Sequence, residues 1–414
     1  MSEACSAAGR AKLVSTADIT ILLHPDEITL MHTLYPLLRS RQRRRFRFST
    51  DVAEALRRPR TRALCLVRFS KLDRAGMRQA ELLEMLRERY ERLIYIDNNA
   101  SAGAVKERAL RTCDLYYKRS LYADRSLYCE PVRSGRLFVD HYFRGESARR
   151  VRAADGAGGG TGSAAAGTAV SGSNPSRSVR RLAADAPLDR LRLLWNIGIG
   201  SYPRSGTRKA LVLRLGAGGA RIARRLRRPE LESAAIAGVR RLYRNAPSAG
   251  RKVAGMPVAS RQPVVSARFG TSFDVPGIGG HRALFEGAAS RDERFRTGFT
   301  DLRTYNRELR TAAGVLSPFG YGEECLRDFE AVVHGAVLIK PSMDHVETWP
   351  DIYRPWRTYF PCRWDASDLS EVTDRLFGDP AAARSVAGEA EAVLAEAWEC
   401  LEERVERFVA EVLD

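Results

Sequence analysis

Glycines and carboxylates cluster between residues 316 and 341 with a spacing that suits anion binding. Gly320 and Gly322 precede a stretch with helical patterning, and the free backbone N–H groups at a helix start attract an anion such as a diphosphate. Glu323 and Glu330 are seven residues apart, which corresponds to two helical turns. We therefore predict both carboxylates on one face of this helix, where a carboxylate suits the paired hydroxyls of a ribose.

Cations and an imidazole stand near the same region. Lys340, the only lysine in the last 160 residues, ends the predicted strand that follows this helix, and Arg268 ends another predicted strand. A cation at a strand end suits a phosphate, and Arg282 and Arg291 are further candidates. His345 lies in a predicted loop and can donate a hydrogen bond to a phosphate or a sugar hydroxyl. The alternatives are a surface loop position for His345 and a solvated salt-bridge ladder of Glu323, Arg327 and Glu330.

Two side chains in the first half of the chain are candidate catalytic bases. His24 and Asp97 each stand at the end of a predicted strand. Side chains at these ends face the same edge of a parallel sheet, so either could take a proton from an acceptor hydroxyl. Ordinary helix capping is the alternative for Asp97.

The elements that position these residues alternate between strand and helix patterns in two stretches, 17–145 and 263–378. Such alternation predicts an α/β protein with two Rossmann-like domains, each a parallel sheet with helices on both faces. A long helical pattern closes the chain from about residue 381. Ligands of such sheets lie at the carboxyl ends of the strands, which predicts a binding cleft between the two domains.

Composition narrows the class of protein. The 414 residues are 44% hydrophobic, enough for two or three cores, and no membrane span or signal peptide is evident, so we expect a cytoplasmic protein. The seven cysteines and six histidines show no metal-ligand spacing, so we expect no metal and no bound cofactor.

The net charge of +18 is unevenly distributed. Residues 201–260 carry 14 Arg or Lys against two Glu, whereas residues 366–414 carry 13 Asp or Glu against four Arg. This uneven distribution of charge favours contact with an anionic membrane face over nucleic-acid binding, with a solvated helix as the alternative. A glycine cluster at 216–221 partly mimics a dinucleotide fingerprint but has Arg221 at the third glycine position.

Several stretches resemble those of a known enzyme family. The segments 317–323, 327–330, 338–341 and 345–351, together with 291–295, 305–309, 118–121 and 124–128, resemble bacterial two-Rossmann glycosyltransferases of the GT-B type. These belong to glycosyl transferases group 1, in the surface-polysaccharide and spore-maturation-like group. The likeness covers both halves, is strongest over 290–365 and fails across 146–185.

The resemblance implies roles for individual residues. In related transferases a glutamate that binds the nucleotide ribose is followed by Ala and, four residues later, Gly, and Glu330, Ala331 and Gly335 fit this pattern. The family's first glutamate would fall at Gly322, so Glu323 is one residue late. The implied donor site comprises Arg268, Gly320, Gly322, Glu323, Arg327, Glu330, Lys340 and His345.

The expected activity is transfer of a sugar from a nucleotide-sugar donor to a saccharide or lipid-linked glycan acceptor at the inner face of the cell membrane. The alternatives are an inactive sugar- or partner-binding module on the same fold and a dinucleotide-dependent oxidoreductase. The expected divisions are an N-terminal tail (1–16), an acceptor domain (17–145), a flexible linker or insertion (146–185), a basic connecting segment (186–262), a nucleotide-sugar domain (263–378) and a C-terminal helix (379–414).

Overall fold

The structure is a computed structural model of the 414-residue chain. It describes residues 17–24, 26, 29–72, 76–156, 179–199, 215–216, 218–223, 225–226, 228–238, 261–275 and 277–414. We refer to these as the described residues.

A six-stranded parallel sheet forms the first half, with the strand order β2-β1-β3-β4-β5-β9. Its strands are β1 (Ile19–Leu23), β2 (Phe46–Ser49), β3 (Ala63–Val67), β4 (Arg92–Asp97), β5 (Leu115–Lys118) and β9 (Leu191–Leu193). All five residues of β1 and of β3 are buried. These strands form because a continuous apolar run suits a strand covered on both faces. The short strands β6 (Ser120–Tyr122), β7 (Val132–Arg133) and β8 (Val179–Arg180) lie outside this sheet.

Helices connect and cover the first sheet. They are α1 (Tyr35–Arg39), α2 (Val52–Arg57), α3 (Gln79–Arg89), α4 (Glu107–Thr112) and α6 (Pro229–Gly238). Helix α5 (Leu137–Gly156) follows this sheet in the chain but packs Phe138 and Val139 into the core of the second half. Asp51 starts α2 by accepting a hydrogen bond from the Glu54 N–H at 3.0 Å. A π-helical turn over Thr29–Thr33 precedes α1.

A five-stranded parallel sheet forms the second half, with the order β11-β10-β12-β13-β15. The strands of this half are β10 (Gln262–Ser266), β11 (Phe295–Arg296), β12 (Ala312–Leu316), β13 (Val337–Pro341), β14 (Val346–Thr348) and β15 (Phe360–Cys362), of which β14 lies outside the sheet. The associated helices are α7 (Ile278–Ala289), α8 (Leu302–Thr311), α9 (Leu326–Val333) and α10 (Leu369–Gly378).

The chain ends in two helices, α11 (Pro380–Glu399) and α12 (Leu401–Leu413), where the sequence had predicted one long helix. The ring of Phe408 in α12 lies 5.1 Å from that of Tyr117 in β5 and 5.6 Å from that of Trp195. The Tyr117 hydroxyl also donates to Glu411 at 2.5 Å. The last helix therefore returns to the core of the first half.

The carboxyl edges of the two sheets face each other and are joined directly. The segment after β5 forms β6, which pairs antiparallel with β14, the segment after β13. The pair matches Ser120 with Thr348 and Tyr122 with Val346. We call this junction the seam.

The prediction of an α/β fold with two Rossmann-like domains and a C-terminal helical tail is confirmed. Strand β9 and helix α6 lie within the segment 186–262, and β9 adds an edge strand to the first sheet. After β9, residues Ile197–Ile199 form a 3₁₀ turn. Helix α5 extends to Gly156, into the segment predicted as a flexible linker or insertion, whereas 157–178 lie outside the described residues. None of the described helices combines the length and apolar character that crossing a bilayer requires.

Candidate functional site

The glycine turn after β12 lies at the seam. A Cβ atom added to Gly322 would stand 1.7 Å from the carbonyl oxygen of Ala100 and 2.8 Å from the nitrogen of Ser101. Both of these residues follow β4 in the first half. No side chain fits so close an approach, so glycine at this position lets the backbones of the two halves touch. This contact is a structural reason for Gly322 that the sequence did not reveal.

Helix α9 begins four residues after Gly322, at Leu326, because Asp328 caps it by accepting a hydrogen bond from the Cys325 N–H at 2.9 Å. Glu323 therefore precedes the helix, and both the shared face with Glu330 and the alternative salt-bridge ladder are wrong. The Glu323 side chain is fully buried, and one of its carboxylate oxygens accepts from the Ala102 N–H of the first half at 2.9 Å. Burial raises its pKa.

A second glutamate missed by the sequence argument lies beside it. Glu324 is 6% exposed, and neither of its carboxylate oxygens has a hydrogen-bond partner among the described residues. Burial raises the pKa of Glu324 to about 8; Arg119 opposes this shift, and the nearby Asp328 and Glu323 add to it. Glu324 is therefore mostly protonated at neutral pH.

Lys340 lies inside the second half and not on an open surface. Its ammonium group is 3.1 Å from Asp328, and both side chains are completely buried. Asp328 also accepts from the Ser317 hydroxyl at 2.5 Å and from the Tyr353 hydroxyl at 2.8 Å. A contact between Lys340 and a phosphate would require this buried ion pair to separate.

Glu330 and Arg327 lie together near the carboxyl end of β10. One carboxylate oxygen of Glu330 accepts from the Tyr305 hydroxyl at 2.8 Å, and this glutamate keeps 8% of its surface exposed. The Arg327 guanidinium lies 5.7 Å from the centre of the Phe269 ring. Four residues combine here a carboxylate held in place with a cation and aromatic rings: Phe269, Tyr305, Arg327 and Glu330. We call them the ribose cluster, after the role that the sequence predicts for Glu330.

The two other arginines of this region differ in how their charge is balanced. Arg268 forms an ion pair with Glu308, with N–O distances of 2.9 and 3.2 Å. Arg282 instead donates to two backbone carbonyls, Phe319 O at 2.6 Å and Gly270 O at 2.9 Å. Its guanidinium also lies within 3.2 Å of where a Cβ atom of Gly320 would stand. Arg282 therefore brings a cation to the glycine turn.

The candidate bases of the first half occupy different environments. His24 directly follows β1, and its backbone N–H donates to Val67 O at 3.3 Å. Asp97 is buried and accepts from Tyr116 at 2.8 Å and Lys118 at 3.2 Å. Burial alone would raise the pKa of Asp97, but the charge of Lys118 and the hydrogen bonds, including one from the Asn99 N–H, lower it. Asp97 is thus held ionised in a buried ion pair, which makes it a weak base.

His345 lines an open pocket of about 340 Å³. The pocket is formed by the segments after β13 and β15 and by α5, and its lining residues are His141, Ser342, Asp344, His345, Arg363, Trp364 and Asp365. Both ring nitrogens of His345 are buried without a hydrogen-bond partner among the described residues. Burial lowers the pKa of His345 to about 4, so the ring is neutral at physiological pH.

Comparison with known proteins gives structural likenesses only. No family model matches the sequence, and no curated protein sequence matches it. Anabaena HepE in complex with UDP and glucose superposes with a TM-score of 0.45 at 8% identity, covering 95% of this chain and 99% of that one. The alpha-glucosyltransferase AGT in complex with UDP gives a TM-score of 0.42 at 8% identity, with coverages of 95% and 99%. At TM-scores below 0.5 neither likeness defines the fold, which the strand order and the seam establish.

The structure therefore places five of the predicted donor residues in three different environments. Glu330 and Arg327 lie in the ribose cluster, His345 lies in the open pocket, and Glu323 and Lys340 are buried within the protein. Trp364, which was not among the predicted site residues, lines the pocket with His345. Its position two residues after β15, at the carboxyl edge of the sheet, was the available signal. Among the described residues no group of three or more His, Cys, Asp or Glu could hold a metal ion.

The glycine cluster at 216–221 does not form a turn between a strand and a helix. Its described residues, Gly216 and 218–221, are helical. A dinucleotide fingerprint requires its glycines in the loop that joins a strand to a helix start. This geometry removes the main support for an oxidoreductase.

Proposed function

We propose that this protein is a glycosyltransferase that moves a sugar from a nucleotide-sugar donor to a saccharide or lipid-linked glycan acceptor, within the synthesis of a surface polysaccharide or glycoconjugate. The observation that supports it most is that the carboxyl edges of two parallel sheets face each other, with the ribose cluster beside the junction. Open α/β sheets bind ligands at these edges, and two facing edges can bring a donor and an acceptor together.

In this proposal the ribose cluster holds the donor nucleoside. The Tyr305 hydroxyl orients Glu330, whose carboxylate would accept hydrogen bonds from both ribose hydroxyls. Arg282 and Arg327 both contact the Phe269 ring by cation–π geometry, with guanidinium-to-centroid distances of 5.8 and 5.7 Å. Two such cations would stabilise the negative charge that develops on a departing diphosphate.

Lys340 takes an indirect part in the proposed site. Its ion pair with Asp328 fixes the residue that caps α9, and this sets where the helix begins relative to the glycine turn. Arg268, whose charge Glu308 balances, is a weaker phosphate ligand than Arg282. The donor residues we propose are therefore Glu330, Arg327 and Arg282.

Calorimetric titration with a panel of nucleoside diphosphates (UDP, GDP, ADP, CDP and dTDP) tests the donor site. At least one should bind, and Glu330→Gln should weaken its binding about tenfold, because a hydrogen bond to a charged group is worth about 1.5–3 kcal/mol. Glu371→Gln, an exposed position on α10, is the matched control and should bind as the unmodified protein does. Failure of every nucleotide to bind, or equal weakening in both variants, would contradict the proposal.

Donor turnover separates an enzyme from an inactive binding module on the same fold. The protein is incubated with the corresponding nucleotide sugars, with and without a mixture of glycan and lipid-linked acceptors, and release of the nucleoside diphosphate is measured. Release that Glu330→Gln reduces supports a transferase. Binding without any release across the panel supports the inactive module.

We also infer that the basic segment before the second half meets an anionic membrane face. Leu215, Ile222 and Leu226 are 60–63% exposed and are spaced by seven and four residues, as on one helix face; the nearby Leu231 is 55% exposed. Arg221, Arg225 and Arg228 are exposed between them. Exposed apolar side chains flanked by arginines match an anionic lipid surface, where each basic residue contributes about 1 kcal/mol.

Vesicle sedimentation tests the membrane contact. The protein should sediment with vesicles that contain anionic phosphatidylglycerol and not with pure phosphatidylcholine, and the double change Ile222→Ser and Leu226→Ser should reduce sedimentation. Leu302→Ser is the control, because Leu302 is 58% exposed on α8 in the second half. Equal sedimentation with both vesicle types, or equal loss in the control, would contradict the inference.

A further inference from the structure

The open pocket around His345 has its own architecture, distinct from the ribose cluster. It lies where β13 and β15, neighbouring strands of the second sheet, reach their carboxyl ends, and α5 closes one side through His141. None of the three residues proposed for the donor site, Glu330, Arg327 and Arg282, lines it. Its volume of about 340 Å³ falls within the range of small-molecule sites in proteins.

One wall of the pocket is a tryptophan held in place. The indole N–H of Trp364 donates to Ser342 O at 2.8 Å, which fixes the ring. The rings of His345 and His141 stand edge-on to it, with centroids 4.8 and 5.4 Å away. A fixed aromatic surface of this kind can pack against the face of a saturated ligand ring that carries C–H groups.

The polar groups around this wall favour a neutral, hydroxyl-rich ligand. Asp344 and Asp365 provide carboxylate acceptors, and Arg363 provides donors. Two carboxylates against one guanidinium would repel a phosphate, whereas neighbouring hydroxyls can both donate to the carboxylates and accept from the arginine. The charge balance thus differs from that of the proposed donor site, where Arg282 and Arg327 outnumber the single carboxylate of Glu330.

His345 adds a buried polar group that lacks a partner. Neither of its ring nitrogens has a hydrogen-bond partner among the described residues, although both are buried. An unsatisfied buried group of this kind is unfavourable, and a ligand hydroxyl can satisfy it as donor or acceptor. Because the ring is neutral, it can accept as well as donate a hydrogen bond.

We propose that this pocket binds a neutral saccharide ring against Trp364, with hydroxyl hydrogen bonds to His345 and Asp365, and that it is the acceptor subsite of the transferase. The assignment as an acceptor subsite rests on the proposed function. The binding of a neutral saccharide stands on the pocket alone.

Ligand-observed saturation-transfer NMR on the full chain tests the pocket without relying on activity. The probes are D-glucose, D-galactose, D-mannose, N-acetylglucosamine and maltose, with glucose 1-phosphate as the charged comparator. At least one neutral sugar should bind, and it should bind more tightly than glucose 1-phosphate. Trp364→Ala and Asp365→Asn should each weaken binding about tenfold. Asp365 is exposed, so its variant is expected to fold even if Trp364→Ala does not.

Trp356→Ala is the matched control, because Trp356 is 40% exposed and lies outside the pocket. This control should bind the sugars as the unmodified protein does. The proposal is overturned if no neutral sugar of the panel binds, if Asp365→Asn leaves binding unchanged, or if glucose 1-phosphate binds best. Sugar binding at this pocket in a protein that binds no nucleoside diphosphate would leave the saccharide site standing and refute the transferase.

Discussion

Glu324 makes the stability of this protein depend on pH in a direction opposite to that of most carboxylates. Its ordinary pKa is 4.5, and burial at the seam raises it to about 8. Between these two values the folded chain binds a proton that the unfolded chain has lost. The free energy of unfolding therefore falls as pH rises from about 4.5 to about 8.

The magnitude follows from the two pKa values. At about 1.4 kcal/mol per pH unit, the span from 4.5 to about 8 corresponds to about 5 kcal/mol lost by pH 8, and to about 3 kcal/mol at pH 6.5. Below pH 4.5 the carboxyl is protonated in both states and the penalty vanishes. Replacement by glutamine, which has the same shape and no charge at any pH, removes the penalty throughout.

Scanning calorimetry of the unmodified protein and of Glu324→Gln at pH 5.0, 6.5 and 8.0 measures this effect. The variant should melt at nearly the same temperature as the unmodified protein at pH 5.0 and at least about 10 °C higher at pH 8.0, since about 1 kcal/mol shifts the melting temperature by 2–4 °C in domains of this size. Comparison of the two proteins at each pH isolates Glu324 from the other titrating groups.

Glu293→Gln serves as the control, because Glu293 is exposed on the surface of the second half. Its melting temperature should follow that of the unmodified protein at every pH. A difference between Glu324→Gln and the unmodified protein that stays constant from pH 5.0 to pH 8.0 would refute the reasoning. Such a result would mean that the Glu324 carboxylate is paired and ionised in the folded protein.

Three further predictions concern the seam and the donor site. Lys340→Met should lower the free energy of unfolding of the second half by about 3–5 kcal/mol in urea, because it leaves Asp328 buried without its cation. Adding Asp328→Asn should restore part of this loss. No loss in the single variant would mean that the ion pair does not stabilise the fold. Gly322→Ala should lower the melting temperature or loosen the contact between the two halves, because its Cβ would overlap the backbone of the first half. A looser contact would be seen as faster proteolysis. Unchanged proteolysis and melting would contradict this contact. Tyr305→Phe should weaken nucleoside diphosphate binding about threefold to tenfold in calorimetric titration, because Glu330 loses the hydroxyl that orients it; unchanged affinity would remove Tyr305 from the site.

Most of the fold could be predicted from the sequence because its strands are buried on both faces. Such strands are continuous apolar runs, as in 19–23 and 63–67, and local sequence displays them directly. The departures arise where contacts distant in sequence decide the structure. The pairing of β6 with β14 joins segments from the two halves. Each segment is only three residues long, too short for its own sequence pattern to predict a strand.

The candidate site was only partly predictable for the same reason. The spacing of Glu323 and Glu330 fits one helix face, but the Asp328 cap starts the helix later and leaves Glu323 to a partner 221 residues earlier in the chain. The charge of Lys340 suits a phosphate in isolation, but its burial with Asp328 depends on how β13 packs against α9. Sequence spacing identifies side chains that could bind a ligand or react with it, whereas burial decides which of them can contact a ligand.

A substitution at the seam should affect ligand binding at the two proposed subsites to different degrees. The ribose cluster lies entirely in the second half, whereas the pocket around Trp364 includes His141 of α5. This helix packs Phe138 and Val139 into the core of the second half. The residues just before it meet the junction, because the Ser101 hydroxyl donates to Gly135 O and Arg136 donates to Tyr321 O. A change that alters how the halves meet should therefore disturb the pocket more than the cluster. Gly322→Ala, which acts at the contact between the halves, should weaken saccharide binding more than nucleoside diphosphate binding when the two are measured on the same folded sample. Equal weakening of both would mean that the two subsites form a single continuous site, and that the pocket does not depend on the junction that closes it.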